Sequence, residues 1–176
     1  SNSIILADGV TLASSYSSLT TYIHDPIKYF SACLGFSGNP NNEILIGTHN
    51  GKCLRFYEGQ DEKGTYGLKP IGRDTQGVKA MDLDDDDYLI GMSVVKEGQN
   101  ILTITENGYG KLSRVDDYRL QGRAGKGIKS GNYSEKTGKP VCLTFIDPES
   151  DIMMISNTGI VIRLRAKDIS VLGRDT

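Results

Sequence analysis

The chain has 176 residues, 38% of them hydrophobic and 24% charged, a composition that supports a buried core and excludes disorder as the main state. No apolar run reaches the roughly 18 residues a membrane-crossing helix needs, and no basic segment leads into a hydrophobic stretch near the start, so the expected location is the cytoplasm. Net charge is −2, but residues 1–100 carry 8 Lys and Arg against 13 Asp and Glu whereas residues 101–176 carry 12 against 9, so the second half is basic.

Ser1–Ser3 is polar and unpatterned and reads as a cloning remnant. Ile4 to Gly9 is the first, weak copy of a motif that recurs along the chain, an apolar or β-branched run closed by glycine. Tyr29 to Phe36 is a poor strand candidate, and the serine-rich residues 14–18 read as loop. The strong copies are Ile44 to Gly51, Ile101 to Gly108 and Ile152 to Gly159, with glycines offset by 42, 57 and 51 residues from Gly9 onward. A glycine at that place supplies the positive φ of a tight hairpin. Each copy is followed by a second strand: Lys52 to Tyr57 after the first, and Ile160 to Arg165 after the last, with Ile160, Ile162 and Leu164 on one side and Arg163 and Arg165 on the other. Arg55 stands where the last copy has Arg163, and Arg114 where it has Arg165.

A second element recurs beyond each hairpin. Gly72-Arg73-Asp74-Thr75-Gln76-Gly77-Val78-Lys79 is matched by Gly122-Arg123-Ala124-Gly125-Lys126-Gly127-Ile128-Lys129, and Gly173-Arg174-Asp175-Thr176 begins a third copy. It lies 14 residues after the hairpin glycine in the later two copies and 21 in the first. The seven-residue hydrophilic stretch Glu58 to Gly64 accounts for the difference as a surface-loop insertion. Tyr88 to Val95 and Pro140 to Ile146 are further strands. The units are about 4–43, 44–100, 101–151 and 152–176. With no convincing helix, a period near 50 predicts an all-β, propeller-like array of about three to four blades, part of a longer series whose other repeats lie C-terminal.

The residues give no catalytic constellation. His24 and His49 sit in separate repeats without a nucleophile motif and read as turn or surface residues. Cys33, Cys53 and Cys142 are odd in number and never form Cys-x-x-Cys, so neither a disulfide framework nor a zinc site is expected, and half-buried thiols are. Asp84 to Asp87 reads as a solvated loop between blades, because four consecutive carboxylates rarely converge on one ion. No metal or cofactor is expected.

The basic loops are the candidate site. An arginine and a lysine six residues apart around a glycine turn combine charge with backbone N–H groups that can approach a phosphate oxygen. Repeated once per blade, such loops would follow a bent phosphate backbone without reading bases. The competing reading is a solvated turn in which Arg73 pairs with Asp74 and Arg174 with Asp175, each worth about 0–1 kcal/mol. In the middle copy Ala124 and Lys126 replace the aspartate and glutamine, which leaves Arg123, Lys126 and Lys129 without a neutraliser inside the loop. The candidate DNA-binding residues are Arg123, Lys126, Lys129, Arg73, Lys79, Arg174, Arg119, Lys111, Arg114, Arg163 and Arg165, with Gln121, Gly122, Gly125, Gly127, Gly72 and Gly77 shaping the turns.

Gln121-Gly122-Arg123-Ala124-Gly125-Lys126-Gly127 resembles the basic glycine-rich box of DNA gyrase A subunits, which usually reads Gln-Arg-Arg-Gly-Gly-Lys-Gly. Thr105 to Lys111, and Arg163 to Ser170 with Gly173-Arg174, are also similar to blades of that domain, and the resemblance runs from about Ile44 onward. It implies a six-bladed β-pinwheel whose blades exchange a strand with a neighbour. Such a domain wraps double-stranded DNA around a basic outer edge and so supports ATP-dependent negative supercoiling by the A and B subunits together. The cleavage tyrosine and ATP site of that enzyme belong to regions absent here. Gly122 and Ala124 depart from the box, where the family has a basic residue and a glycine. The alternatives are a propeller that binds protein and the related C-terminal domain found in topoisomerase IV.

Overall fold

The computed structural model describes residues 4–5, 11–12, 41–59, 67–68 and 79–176. Arg73, Gly72, Gly77, His24, Cys33 and the strand expected over 29–36 lie outside the described residues. β1 (Ile4–Ile5) and β2 (Thr11–Leu12) form a short antiparallel pair.

β3 (Glu43–Thr48) is buried at every residue but its first. Alternation sends Ile44 and Ile46 to one face and Leu45 to the other, and both faces are covered. Ile44 and Ile46 pack with Leu54, Phe56, Ala80 and Met81. Leu45 packs with Cys53, Ile90, Ile101, Tyr118 and Leu143. Burial of each aliphatic side chain contributes about 1.5–3 kcal/mol. β3 turns through Gly51 into β4 (Lys52–Tyr57), and Gly51, Gly108 and Gly159 have φ of 77°, 79° and 82°, as the three predicted hairpins require.

β5 (Leu89–Val94) pairs with the free side of β3. The second hairpin joins β6 (Asn100–Thr105) to β7 (Gly110–Arg114). β8 (Ile128–Lys129) follows, then β9 (Pro140–Ile146), which pairs with β6. β10 (Asp151–Ile155) and β11 (Val161–Arg165) are the third hairpin. The sheets run β5-β3-β4-β8, β7-β6-β9 and β10-β11. All pairings between these strands are antiparallel, and the helical segments among the described residues are two three-residue 3-10 turns, Val115–Asp117 and Ala166–Asp168. The architecture is the all-β, propeller-like one predicted.

Successive sheets pack face to face. A Cβ on Gly91 would lie 2.2 Å from the Leu143 carbonyl oxygen, and one on Gly47 2.8 Å from the Leu143 side chain, so glycine on the first sheet lets β9 of the second approach. Leu102 and Leu112 of the second sheet pack against Ile152 and Ala166. On the last hairpin the large apolar side chains Met153, Ile155, Val161, Ile162 and Leu164 are exposed.

Three readings need correction. Cys53 and Cys142 are buried, not half-buried, and burial pushes the Cys142 thiol up to about 12 and the Cys53 thiol up as well. Asp84, Asp85 and Asp86 are solvated as expected, but Asp87 is buried. Its Oδ1 accepts the N–H groups of Asn50 at 2.8 Å and Tyr88 at 2.9 Å, fixing the hairpin tip to the start of β5. Glu58 is buried too, and accepts a bond from Asn42 Nδ2 at 3.0 Å.

Candidate nucleic-acid interface

Each of the two described basic loops, 122–129 and 173–176, sits on the outer edge of the sheet before its own. Leu120 runs parallel to β4 beside Arg55, the chain then reverses, and Ile128 and Lys129 return antiparallel against Cys53 and Lys52. The loop 122–127 bulges between these two contacts. In the next unit Val171 lies parallel to Leu112 of β7, with Leu112 N–H to Ser170 at 3.0 Å and Leu172 N–H to Leu112 at 2.8 Å, and Gly173-Arg174 follows at the same place. The two described loops are thus in register along one edge of the array.

Backbone bonds shape the middle loop. Gln121 N–H donates to Arg55, Ala124 N–H to Ala80 at 2.9 Å, and Asp82 N–H to Gly125 at 3.0 Å. Arg123 and Ala124 form the turn, Gly125 lies in the bend after it, and Gly127 has φ of 71°. Ala124 is the one non-glycine residue in the left-handed region among the described residues, with φ of 66°. That is the position at which the resembled box carries glycine. Ala124→Gly is expected to stabilise the protein by about 1 kcal/mol, the relief of left-handed strain less the added freedom of the unfolded chain. Thermal unfolding would read this, and a lowered midpoint would count against it.

The predicted cations divide by what holds them. Lys126, Lys129, Arg114, Arg119 and Arg165 are exposed, and their side chains make no hydrogen bond or ion pair with another described residue. Lys79 pairs with Asp82 at 2.5 Å, and Arg163 pairs with Asp151. Arg123 donates from Nε to the Gly67 carbonyl and from Nη1 to that of Lys79. Arg174 donates to the carbonyls of Asp117, at 3.1 Å, and Lys129, and pairs with Asp175 at 2.8 Å, the pair that the solvated-turn reading expects. Lys111 points inward. Its ammonium donates to the carbonyls of Gly173, Arg174 and Thr176 at 3.3, 2.6 and 2.8 Å, and desolvation draws its pKa down.

Neutralising charge reaches the middle loop from outside it. Hydrogen bonds from Lys79 and Lys52 hold Asp82 and Asp84 below the ordinary carboxylate range, and Lys126 adds a smaller pull on both. A depressed carboxylate stays ionised as pH falls through the usual range and is protonated only in stronger acid, so near neutrality both acids carry their full charge and offset part of the loop's. Lys126 remains the exposed charge at the tip.

Two arrangements were not anticipated. Arg55 pairs with Glu43 at 2.5 Å and donates to the carbonyls of Val115 and Tyr118 at 3.0 Å each, so it joins the first sheet to the second unit. Arg163 and Asp151 repeat the same pair 108 residues on. The recurrence of Arg55 and Arg163 was visible in the sequence; their acidic partners, twelve residues earlier in both cases, were the unused signal. At the hairpin tips His49 stacks on Tyr88 with centroids 4.6 Å apart, lies 3.1 Å from the Pro140 carbonyl through Nδ1, and has Nε2 3.6 Å from Glu106. His49 is therefore a half-buried turn residue that couples one hairpin to the next.

A family model described as "DNA gyrase C-terminal domain, beta-propeller" matches residues 42–59, 64–96, 99–139 and 150–176. The DNA gyrase A protein of Staphylococcus epidermidis is 41% identical over 136 residues, covering 76% of this chain and 14% of that protein. Its Staphylococcus aureus counterpart is 42% identical over 134 residues, covering 75% and 14%. The chain thus spans about one seventh of the curated relatives it matches. Among solved structures, the C-terminal domain of DNA topoisomerase IV is similar with a TM-score of 0.69 at 20% identity, over 78% of this chain and 41% of that one. A DNA gyrase A C-terminal domain gives 0.56 at 22% identity, over 78% and 60%.

Proposed function

This chain belongs to the DNA gyrase C-terminal β-propeller family, and from that premise we propose that it binds and wraps double-stranded DNA without regard to sequence, as part of the gyrase A protein. In that role it serves an ATP-dependent enzyme of the cytoplasm, completed by the remainder of gyrase A together with gyrase B, and contributes no catalytic group of its own. The observation that carries the reading is the equivalent seating of two basic loops on the outer edges of successive sheets. A duplex following that edge meets cationic clusters at the period of the repeat. Lys126 and Lys129 are the leading phosphate contacts, with Arg119, Arg114 and Arg165 available beside them. The topoisomerase IV likeness, at 20% identity, bears on the architecture; the 41% identity to gyrase A favours gyrase.

Binding through phosphates releases counterions, so affinity should fall steeply and linearly in log–log form as salt rises, with a slope of about −0.9 per phosphate met. Anisotropy titrations of several unrelated duplexes over a salt series test this. Similar slopes on every sequence are expected. A salt-independent signal, or none at low salt, would instead favour a propeller that binds protein.

A further inference from the structure

Arg123 and Arg174 make the same pair of contacts one unit apart. Arg123 reaches the carbonyls of Gly67 and Lys79, and Arg174 those of Asp117 and Lys129. The donors are 51 residues apart in the chain and each pair of acceptors 50, so the contact recurs with the repeat. Lys79 and Lys129 are the final residues of the two preceding basic loops. Both of these arginines therefore grip the backbone of the loop before their own. A planar guanidinium suits this task, since its fixed fork can hold two carbonyls at once, which a single ammonium on a flexible stem does less well.

We infer that Arg123 and Arg174 are positioning residues that tie consecutive basic loops into one belt, and that the loop lysines, not these guanidinium groups, meet phosphate. A carbonyl is fixed by the main chain, so a bond to it fixes where the earlier loop sits relative to the later one. Arg174 is further turned from an incoming anion by Asp175, whose carboxylate pairs with it at 2.8 Å and accepts a hydrogen bond from Nη2 at 3.0 Å. The use of the belt rests on the DNA-wrapping reading; the tie itself does not. Its effect is to hold the spacing between charge clusters, so that a duplex spanning two loops gains from both without ordering them on binding.

The test uses Arg123→Gln and Arg174→Gln in the full chain, with two duplexes, one too short to reach from loop to loop and one that spans both. With the tie lost, amide exchange at Ala124 and Asp82 in the first variant, and at Leu172 in the second, is expected to quicken at least about tenfold. On the short duplex the salt slope should stay unchanged, whereas a lost phosphate contact would reduce it by about 0.9. On a long duplex that reaches both Lys79 and Lys126, affinity of the Arg123→Gln variant should fall about tenfold. Should either variant fail to fold, the unaltered chain decides: arginine-directed dicarbonyl labelling of Arg123 and Arg174 is expected to be indifferent to bound DNA, while acylation of Lys126 and Lys129 is suppressed by it. A slope reduced by one unit, or strong protection of the two arginines by DNA, overturns the inference. Unchanged amide exchange overturns the tie whether or not DNA binds, and absence of salt-dependent binding by the unaltered chain removes the wrapping reading while leaving exchange to judge the tie.

Discussion

Gly127→Ala is expected to lower the unfolding free energy by about 3–5 kcal/mol, combining left-handed strain of about 1–2 kcal/mol with overpacking of a closed core. The residue has φ of 71°, and a Cβ there would lie 2.5 Å from Met81 Cε and 2.6 Å from the Cys53 carbonyl oxygen. Met81 is 1% exposed and the carbonyl belongs to β4, so neither can step aside without moving the core or the sheet. Gly108 and Gly159 provide the control: they share the positive φ but have open space where a Cβ would go. Their alanine variants should lose only the conformational part, about 1–2 kcal/mol. Chemical denaturation of the three variants compares them directly. Equal losses would show that the crowding at Gly127 is absent.

Lys126→Gln combined with Lys129→Gln is expected to leave stability within about 0.5 kcal/mol, since both side chains are exposed and unpaired among the described residues. On DNA the loss should be large. Two fewer phosphate contacts flatten the salt slope by about 1.8 and weaken binding at 0.1 M salt about 60-fold, similarly on unrelated sequences. A slope equal to that of the unaltered chain would take this loop out of the interface. The neighbouring acids set the scale of the effect, because Asp82 and Asp84 already offset part of the loop's charge, and without the lysines that edge presents mainly carboxylates.

Local signals carried most of the fold. Gly51, Gly108 and Gly159 announced their hairpins because a tight turn needs a backbone that few other residues adopt, and Lys52–Tyr57 and Pro140–Ile146 have the predicted bounds. The exchange of edge strands came only from the resemblance, since nothing in Ile128-Lys129 says which neighbour it will join. Direction of charge was the least legible property. Lys111 follows Gly110 much as Lys126 precedes Gly127, yet the first is buried on carbonyls and the second faces water. The difference lies in which backbone groups a later part of the chain leaves unpaired nearby. Asp87 shows the same thing: its three acidic neighbours look identical in sequence, but it alone meets the free N–H groups of a hairpin tip and a strand start.

During synthesis, the sheet begun at Glu43 stays unfinished until Lys129 has left the ribosome, because its fourth strand is drawn from the following unit. A nascent chain halted between Tyr57 and Leu120 therefore lacks both segments that later pair with β4 along this rim. Maturation proceeds in overlapping steps, the segment beyond each hairpin reaching back to the sheet before it, so a pause in translation exposes this polypeptide in a way that self-contained repeats would avoid.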